Sequence, residues 1–208
     1  MADETEKMYG YYQAKMDEAL LGEDSHVEDC AILDCFNGLP YAYSTSLTAR
    51  IPTGEDEEGK PTYASEDPDV FGPGEEATCP HWDGSEAMIS EAEYITSVFF
   101  EGEGQLGKFF YRGKRFMITR RIDGESFYIA SSDISDYPKE LAPLVFGKKG
   151  TTSVCIMRTP AVMIVATCDT DTKDFSKVTY AAIHLAETLV LDENAAAEAG
   201  VNVWDLEE

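Results

Sequence analysis

The stretch TSVCIMRTPAVMIVAT, residues 152–167, consists of two apolar runs joined by the turn sequence Arg158-Thr159-Pro160. The runs, 152–157 and 161–167, are rich in β-branched residues and have the length of ordinary strands. A proline at the junction suits a tight turn, because its ring pre-sets the backbone angle φ. The stretch therefore predicts two consecutive strands of an antiparallel sheet.

Further strand patterns precede this hairpin, at 106–111, 115–121 and 125–130, with turns at 112–114 and 123–124. Nearer the start, the runs 30–35 and 39–45 flank Asn37 and Gly38. An Asn-Gly pair between strand-like runs is a strong hairpin signal, because both residue types accept positive φ.

Three segments have apolar residues at helical spacing, namely 8–21, 85–101 and 176–191. Gly22 and Gly102 follow the first two as stop signals, and Asp174 or Ser176 is a suitable cap for the third. Strands with helices at both ends of the chain favour an α+β fold, in which helices cover the faces of one antiparallel sheet.

The 208 residues, 43% of them hydrophobic, are enough for one domain with a substantial core. Within this single domain, 1–208, three segments depart from the regular pattern: an acidic insertion at 47–85, an irregular stretch at 131–143 and an acidic tail at 192–208. The insertion is rich in Gly, Pro, Glu and Asp, so we expect it to add little to the core.

The chain carries 40 acidic and 16 basic residues, a formal net charge of −24. Such a charge repels phosphate backbones and anionic lipids, so it excludes nucleic-acid binding and disfavours phosphoinositide binding. The stretch 108–121 is an exception because it is rich in Lys and Arg. It is either a docking face on an acidic protein or a strand edge guarded by charge.

The five cysteines include no Cys-x-x-Cys pair, and three of them lie within apolar runs, which favours a reducing compartment. The start, MADETEKMYG, lacks the basic and apolar regions of a secretory signal. No apolar run approaches the ~18–20 residues of a membrane span. We therefore expect a cytoplasmic protein.

Two segments resemble ligand-binding motifs without the usual context. Residues 102–107 match G-x-G-x-x-G, but the dinucleotide fingerprint needs a strand before it and a helix after it, and here the order is reversed. The acidic run 169–174 resembles the start of a calcium loop, but positions six and twelve hold Asp174 and Tyr180 instead of Gly and Glu. We expect no cofactor and no metal.

Catalytic signatures are equally weak. Cys79 and His81 are two potential metal ligands or catalytic groups in the insertion, but no further ligand follows at a usable spacing. The chain has no G-x-S-x-G nucleophile motif. A hydrolase that uses Cys79 or His81 is therefore a minor alternative, and we expect that the protein is not an enzyme.

Aromatic residues are concentrated near the start of the chain. Tyr9, Tyr11 and Tyr12 fall in the first predicted helix, and Tyr41 and Tyr43 in the second strand of the first hairpin. Tyrosine rings stack on proline rings in proline-rich ligands, provided that the two segments are neighbours in the fold.

The order of these segments resembles the profilin family. Tyr12-Gln13-x-x-Met16-Asp17-x-x-Leu20 is similar to its N-terminal helix pattern W-Q-x-Y-V-D-x-x-L. The other matching segments are CAILDCFNGLPYAYS (30–44, the hairpin), GKRFMI (113–118, a strand), FGKKG (146–150, the R-G-K-K-G turn) and VCIMRTPAVMIVATCD (154–169, the strand pair before the last helix).

The resemblance implies about seven antiparallel strands, with the N- and C-terminal helices on one face and shorter helices on the other. It also implies an actin-monomer-binding protein that regulates polymerisation, by sequestration of monomers among other means. By position, the actin contacts are Lys148, Lys149, Arg158, Phe175 and Lys177. A few bases on an acidic protein set the orientation and on-rate of an acidic partner.

Proline-rich ligands, such as those of formins, are implied as a second kind of partner, in a groove between the terminal helices. The residues assigned to this site are Tyr9, Tyr12, Tyr41 and Leu189. The hydroxyl of a Tyr such as Tyr41 is a donor suited to a proline carbonyl. Two positions depart from the family's aromatic pattern, since Lys15 and Thr188 stand where aromatic residues are usual.

A monomer associated with the cytoskeleton is the state that this resemblance implies. The competing interpretation is another small α+β module, a longin-like or roadblock-like scaffold for protein assembly, without actin binding. Binding of actin or of proline peptides distinguishes the two.

Overall fold

A computed structural model describes residues 2–22, 24–44, 52–55, 61–63, 76–80, 86–100, 107–112, 114–122 and 144–206. The helices in these ranges are α1 (Ala2–Leu20), α2 (Glu91–Phe100) and α3 (Phe175–Ala199), and a short 3-10 helix covers Val203–Asp205. The strands are β1 (Asp29–Asp34), β2 (Pro40–Tyr43), β3 (Pro52–Glu55), β4 (Pro61–Tyr63), β5 (Glu76–Pro80), β6 (Glu86–Ser90), β7 (Lys108–Tyr111), β8 (Lys114–Ile122), β9 (Leu144–Lys149), β10 (Thr152–Arg158) and β11 (Val162–Asp169).

Seven of the strands form one antiparallel sheet in the order β2-β1-β11-β10-β9-β8-β7. The predicted hairpin 152–167 is confirmed, because Thr152 pairs with Asp169 and Arg158 with Met163. Its strands lie in the middle of the sheet, and β11 is buried from Val162 to Cys168. Burial on both faces explains why these strands are apolar without alternation.

Each face of the sheet has its own core. Cys155 and Met157 of β10 point to the face covered by α1 and α3, where Met16, Ile164 and Leu185 are also buried. The neighbouring side chains of β10 point to the opposite face, with Ile95 of α2. Helices on both faces of one antiparallel sheet confirm the predicted α+β architecture.

The first hairpin is also confirmed. Its turn depends on Gly38, whose φ of +71° is unfavourable for residues with a side chain. A Cβ at this position would lie only 2.8 Å from the backbone of Ala92. Gly38 therefore allows both the turn and the close approach of the hairpin to α2.

The second predicted helix begins later than expected. Residues 86–90 form β6, which pairs with β5 from Glu76↔Ser90 to Pro80↔Glu86, and only then does α2 begin at Glu91. A short apolar segment suits a strand or a helix, and here pairing with β5 decides. The segment 47–85 also contains the hairpin of β3 and β4.

The last helix is longer than predicted. It continues through Ala199, so the first part of the expected tail, 192–199, is helical, and Gly200 ends the helix at φ +70°. The Ala-rich run 195–197 supports this, because alanine has the highest helix propensity. Residues 146–149, which resembled a turn, belong to β9, and the turn itself begins at Gly150.

Several predictions lie outside the described residues, namely the helix stop at Gly102, the turn at 123–124, the strand at 125–130 and the irregular stretch at 131–143. Among the helices that are described, none combines the length and the apolar character needed to cross a membrane.

Candidate functional site

An aromatic cluster joins α1 to the edge strand β2. The rings of Tyr12 and Tyr41 are stacked, with centroids 5.0 Å apart and planes at 10°, and Tyr9 lies 6.4 Å from Tyr41. Tyr12 shares the buried stripe of α1 with Met16 and is only 5% exposed, whereas Tyr9 is 45% exposed. Tyr9 and Tyr41 therefore form the accessible surface, and Tyr12 supports it from below.

The hydroxyl of Tyr41 is already occupied. It donates to Oδ2 of Asp34 at 2.5 Å. Burial, together with this hydrogen bond, raises the pKa of Tyr41, so the hydroxyl keeps its proton. Burial acts to raise the pKa of Asp34 too, but hydrogen bonds from Tyr41 and two backbone amides lower it. In this structure the Tyr41 proton is thus shared with Asp34, and the expected donation to a proline carbonyl stays a prediction.

A shallow groove opens beside this cluster, between α1 and β2. Its volume is about 660 Å³, and it is lined by Thr5, Glu6, Tyr9, Gly10, Gln13 and Tyr41. A Cβ built on Gly10 would meet no atom within 4 Å, so the groove floor is open at that point. We refer to this surface as the α1–β2 groove.

Side-chain contacts bridge the terminal helices, where the resemblance places the proline groove. The Tyr11 hydroxyl donates to Oδ2 of Asp192 at 2.8 Å, and Lys15 Nζ lies 2.9 Å from the same oxygen. One turn earlier, Lys7 pairs with Asp205 of the 3-10 helix at 3.4 Å. These contacts bind α1 to α3 and its extension.

Leu189 of the predicted proline site, and Thr188, which stands where an aromatic residue is usual, both lie on α3. Leu189 is fully buried in the core between α3 and the sheet, so its side chain is not accessible for the predicted contact with a ligand. Thr188 donates its hydroxyl to the carbonyl of His184 within the helix. The accessible part of the predicted site is thus Tyr9 and Tyr41.

A second candidate surface lies on the outer strands of the sheet. Lys148 of β9 is exposed and pairs in register with Met117 of β8. On the same face, Phe146 packs edge-on against Phe175 at the start of α3, with centroids 5.8 Å apart. Because α3 packs mainly on β11 and β10, Met117 and Lys148 of the outer strands stay exposed.

The structure separates the other predicted actin contacts from this surface. Lys149 follows Lys148 directly, so alternation turns it to the opposite face of the sheet. Arg158 is at the other end of β10, about 20 Å along the strand by its rise per residue, where it contacts Cys35. Lys177 lines a hollow with His26 on the side of α3 that faces α1. Only Lys148 and Phe175 lie together.

The strand β8 supplies three residues that sequence reasoning did not single out. Arg115 and Met117 are exposed and two positions apart, on the face of Lys148. A bulge between Ile118 and Arg120 then moves Arg120, rather than Thr119, to the same face. We refer to Arg115, Met117, Arg120, Lys148 and Phe175 as the β8–β9 face.

The basic stretch 108–121 was a signal for this face. However, in a strand without a bulge, residues 119 and 121 would share the face of Arg115. The bulge that selects Arg120 depends on the register with β9, where Arg120 pairs with Phe146. Sequence alone therefore indicated a basic strand without showing which bases share a face.

Within the described residues, the weaker motifs do not form ligand-binding sites. Asp169 accepts a hydrogen bond from the backbone of Asp171, and Asp174 caps α3 through Ser176. The hydrogen bonds from Ser176 lower the pKa of Asp174, as expected for a helix cap. No group of three potential metal ligands occurs among the described residues. Most of the run 102–107 and His81 lie outside those residues.

An antiparallel sheet of seven strands, with both terminal helices on one face, places the protein in the profilin fold class. The chain matches the Profilin family over residues 11–193 and therefore belongs to it. This membership decides against the longin-like or roadblock-like scaffold.

Solved profilin structures share the fold. Schizosaccharomyces pombe profilin has 14% sequence identity and a TM-score of 0.51, with 86% of this chain and 96% of that chain covered. Acanthamoeba castellanii profilin IB has 16% identity and a TM-score of 0.50, with the same coverage of 86% and 96%. No curated protein sequence matches the chain significantly. The structural likeness, at such identities, concerns the fold alone.

Proposed function

We propose that this chain is a cytoplasmic actin-monomer-binding protein that regulates actin polymerisation through the β8–β9 face. Membership of the profilin family, a non-enzymatic and actin-regulating family, supports this role in general. The observation that carries the proposal is the clustering of bases on an uncovered sheet face of a chain with a net charge of −24.

The chemistry of the face suits an acidic protein partner. Arg115, Arg120 and Lys148 surround Met117, which is 51% exposed. An apolar centre with a charged rim is the common arrangement of a protein interface. The rim charges steer the encounter and fix orientation, so binding weakens as salt rises.

Sedimentation with monomeric actin, at low and physiological salt, tests this proposal. The variant Lys148→Glu reverses one charge on the face, and Lys149→Glu makes the same change one residue later on the opposite face. We expect a one-to-one complex that Lys148→Glu weakens about tenfold, in the range typical of interface residues. Lys149→Glu should bind like the unmodified protein.

Two results would contradict the proposal. Equal weakening by both variants would move the contact away from the β8–β9 face. Absence of a complex with the unmodified protein, at tens of micromolar of each partner, would leave the fold without this function.

We also propose that the α1–β2 groove binds proline-rich segments such as those of formins. Tyr9 and Tyr41 offer two adjacent aromatic rings, and Tyr12 holds Tyr41 in place from below. Rigid rings bind the extended polyproline helix at low entropic cost, because neither side loses much conformational freedom.

Calorimetric titration with a decaproline peptide tests the groove. Tyr9→Ala should abolish measurable heat, since it removes an exposed ring from the groove. Tyr180→Ala is the matched control, because Tyr180 is 72% exposed on α3. Loss of binding in the control alone would place the proline site elsewhere.

A further inference from the structure

A second hollow continues the α1–β2 groove toward the end of α1. It has a volume of about 540 Å³, and its lining includes Gln13, Asp17, Glu28 and Tyr43. Gln13 lines both cavities, so the two form one path along the helix. The first part of the path is mainly apolar and aromatic, and the second part is polar.

The second part of the path is acidic. The carboxylates of Asp17 and Glu28 are exposed, and Gln13 Nε2 donates to Asp17 at 2.8 Å. None of the described residues that line this hollow is a base. Two cationic side chains outside the path donate hydrogen bonds to backbone carbonyls of lining residues. Lys173 donates to Ser25, and Arg112 donates to Ser44.

Neither of these cations is among the residues that line the hollow. Arg112 is paired with the mostly buried carboxylate of Asp29 at 2.5 Å, so its charge is already compensated. Lys173 belongs to the turn before α3 and bonds the Ser25 carbonyl at 3.0 Å. The two exposed carboxylates therefore remain as acceptors for a cationic group of a ligand.

We propose that the ligand of this path is a proline-rich segment that carries a Lys or Arg side chain, with its prolines on Tyr9 and Tyr41 and its cation between Asp17 and Glu28. The inference rests on the proposed proline binding and adds a requirement for charge. A basic segment also complements the net charge of −24, which would repel an acidic one.

Helix geometry gives the spacing in the ligand. Asp17 follows Tyr9 by eight residues of α1, which corresponds to about 12 Å at a rise of about 1.5 Å per residue. A polyproline helix advances about 3.1 Å per residue, so about four residues separate the stacked proline from the basic residue. The direction of the ligand chain is left to the experiment.

The test compares five capped peptides by calorimetric titration at 20 and 200 mM salt. These concentrations are chosen because the Debye length differs roughly threefold between them. They are decaproline, decaproline followed by Ala-Ala-Ala-Arg, decaproline preceded by Arg-Ala-Ala-Ala, and the two counterparts with Glu in place of Arg. We expect one Arg peptide to bind about fivefold to tenfold more tightly than decaproline at low salt, the gain typical of two exposed ion pairs. Its Glu counterpart should bind more weakly.

The double variant Asp17→Asn/Glu28→Gln should remove the gain while leaving decaproline binding unchanged. The matched control is Glu18→Gln, since Glu18 is also exposed on α1 but lines the hollow beside α3. Circular dichroism checks that each variant is folded.

The outcomes separate the two proposals. Equal binding of all five peptides, or a gain that survives high salt or the double variant, would overturn the charge requirement and leave proline binding standing. No binding of any peptide would overturn the proposed proline binding and this inference with it.

Discussion

The ring of Tyr12 lies parallel to the ring of Tyr41 at 5.0 Å, so that a buried residue of α1 supports an accessible residue of β2. We predict that Tyr12→Ala lowers the free energy of unfolding by about 3 kcal/mol, the usual cost of deleting a buried aromatic side chain. It should also remove binding of decaproline, because Tyr41 loses its support. Urea unfolding and calorimetry measure the two effects.

Tyr12→Phe is the control for this prediction. It keeps the stacked ring and should keep both stability and binding. Loss of binding in Tyr12→Phe would show that the hydroxyl, and not the support of Tyr41, is required.

Gly10 offers a test that separates the groove from the stability of α1. Gly10→Ala should raise the free energy of unfolding by about 0.5–1 kcal/mol, because alanine favours a helix interior and meets no atom within 4 Å here. Gly10→Leu should also fold, but its side chain should fill the groove and abolish decaproline binding. Thermal unfolding and titration give both readouts.

If Gly10→Leu binds decaproline as tightly as the unmodified protein, the ligand does not occupy the α1–β2 groove. If Gly10→Ala is destabilised, the helix around residue 10 is not regular.

Arg112 and Asp29 form a mostly buried ion pair at 2.5 Å that joins the β7–β8 turn to β1. Arg112→Met should lower the free energy of unfolding by about 3 kcal/mol, because it leaves a mostly buried carboxylate without its cation. Burial already raises the pKa of Asp29, and Arg112 opposes that rise. The variant should therefore raise this pKa further.

The sign of the pH dependence follows from that shift. A carboxyl whose pKa is higher in the folded state binds protons more tightly there, so stability increases as pH falls through the folded pKa. Arg112→Met should regain stability as the pH is lowered from 7 toward the unfolded carboxyl pKa of about 4, measured by urea unfolding. The double variant Arg112→Met/Asp29→Asn should lack this dependence, and a dependence that persists would assign it to another group.

Arg112 also has a left-handed backbone, with φ of +49°. Arg112→Gly and Arg112→Ala both lose the ion pair, but only glycine adopts this conformation without strain. The Gly variant should be the more stable by about 1 kcal/mol in urea unfolding. Equal stability would mean that the turn relaxes when the pair is lost.

Glu193 predicts a second pH effect, at the contact between α1 and α3. Burial, with the neighbouring charge of Asp192, raises the pKa of Glu193 to about 7. Its Oε1 has no hydrogen-bond partner in the described chain. Because the folded pKa is raised, the protonated carboxyl stabilises the fold fully below the unfolded value of about 4.3, and this contribution is lost as pH rises through 7.

Glu193→Gln should therefore raise the free energy of unfolding at pH 8 by about 1 kcal/mol, a modest value because water partly screens the carboxyl. At pH 4 the variant should match the unmodified protein. Urea unfolding at both pH values tests this, and Glu198→Gln, an exposed site later in α3, is the control.

Much of the fold was predictable because its signals are local. The runs 152–157 and 161–167 predict strands whatever surrounds them, and Asn37-Gly38 predicts a turn. The start of α2 was not predictable in this way. Residues 86–90 have no local signal that decides between helix and strand, and β5 supplies the partner that decides.

The sequence predicted which residues belong to the candidate sites better than it predicted their positions in the fold. Tyr9, Tyr12 and Tyr41 do come together, but Tyr12 is a support, and the groove opens on the β2 side of α1. The reason is a contact between distant parts of the chain, in which Asp192 binds Lys15 and closes the side toward α3. No local pattern encodes that pairing.

The sequence by itself determined the two hairpins 30–45 and 152–167, the approximate places of the terminal helices, the acidic charge and the supply of bases in 108–121, because these depend on composition and on the spacing of neighbouring residues. Only the tertiary structure decided which bases share a surface. The bulge in β8 turns Arg120 toward Lys148, while alternation turns Lys149 away. A side chain's face depends on the register between strands, and register is set by pairing across the sheet.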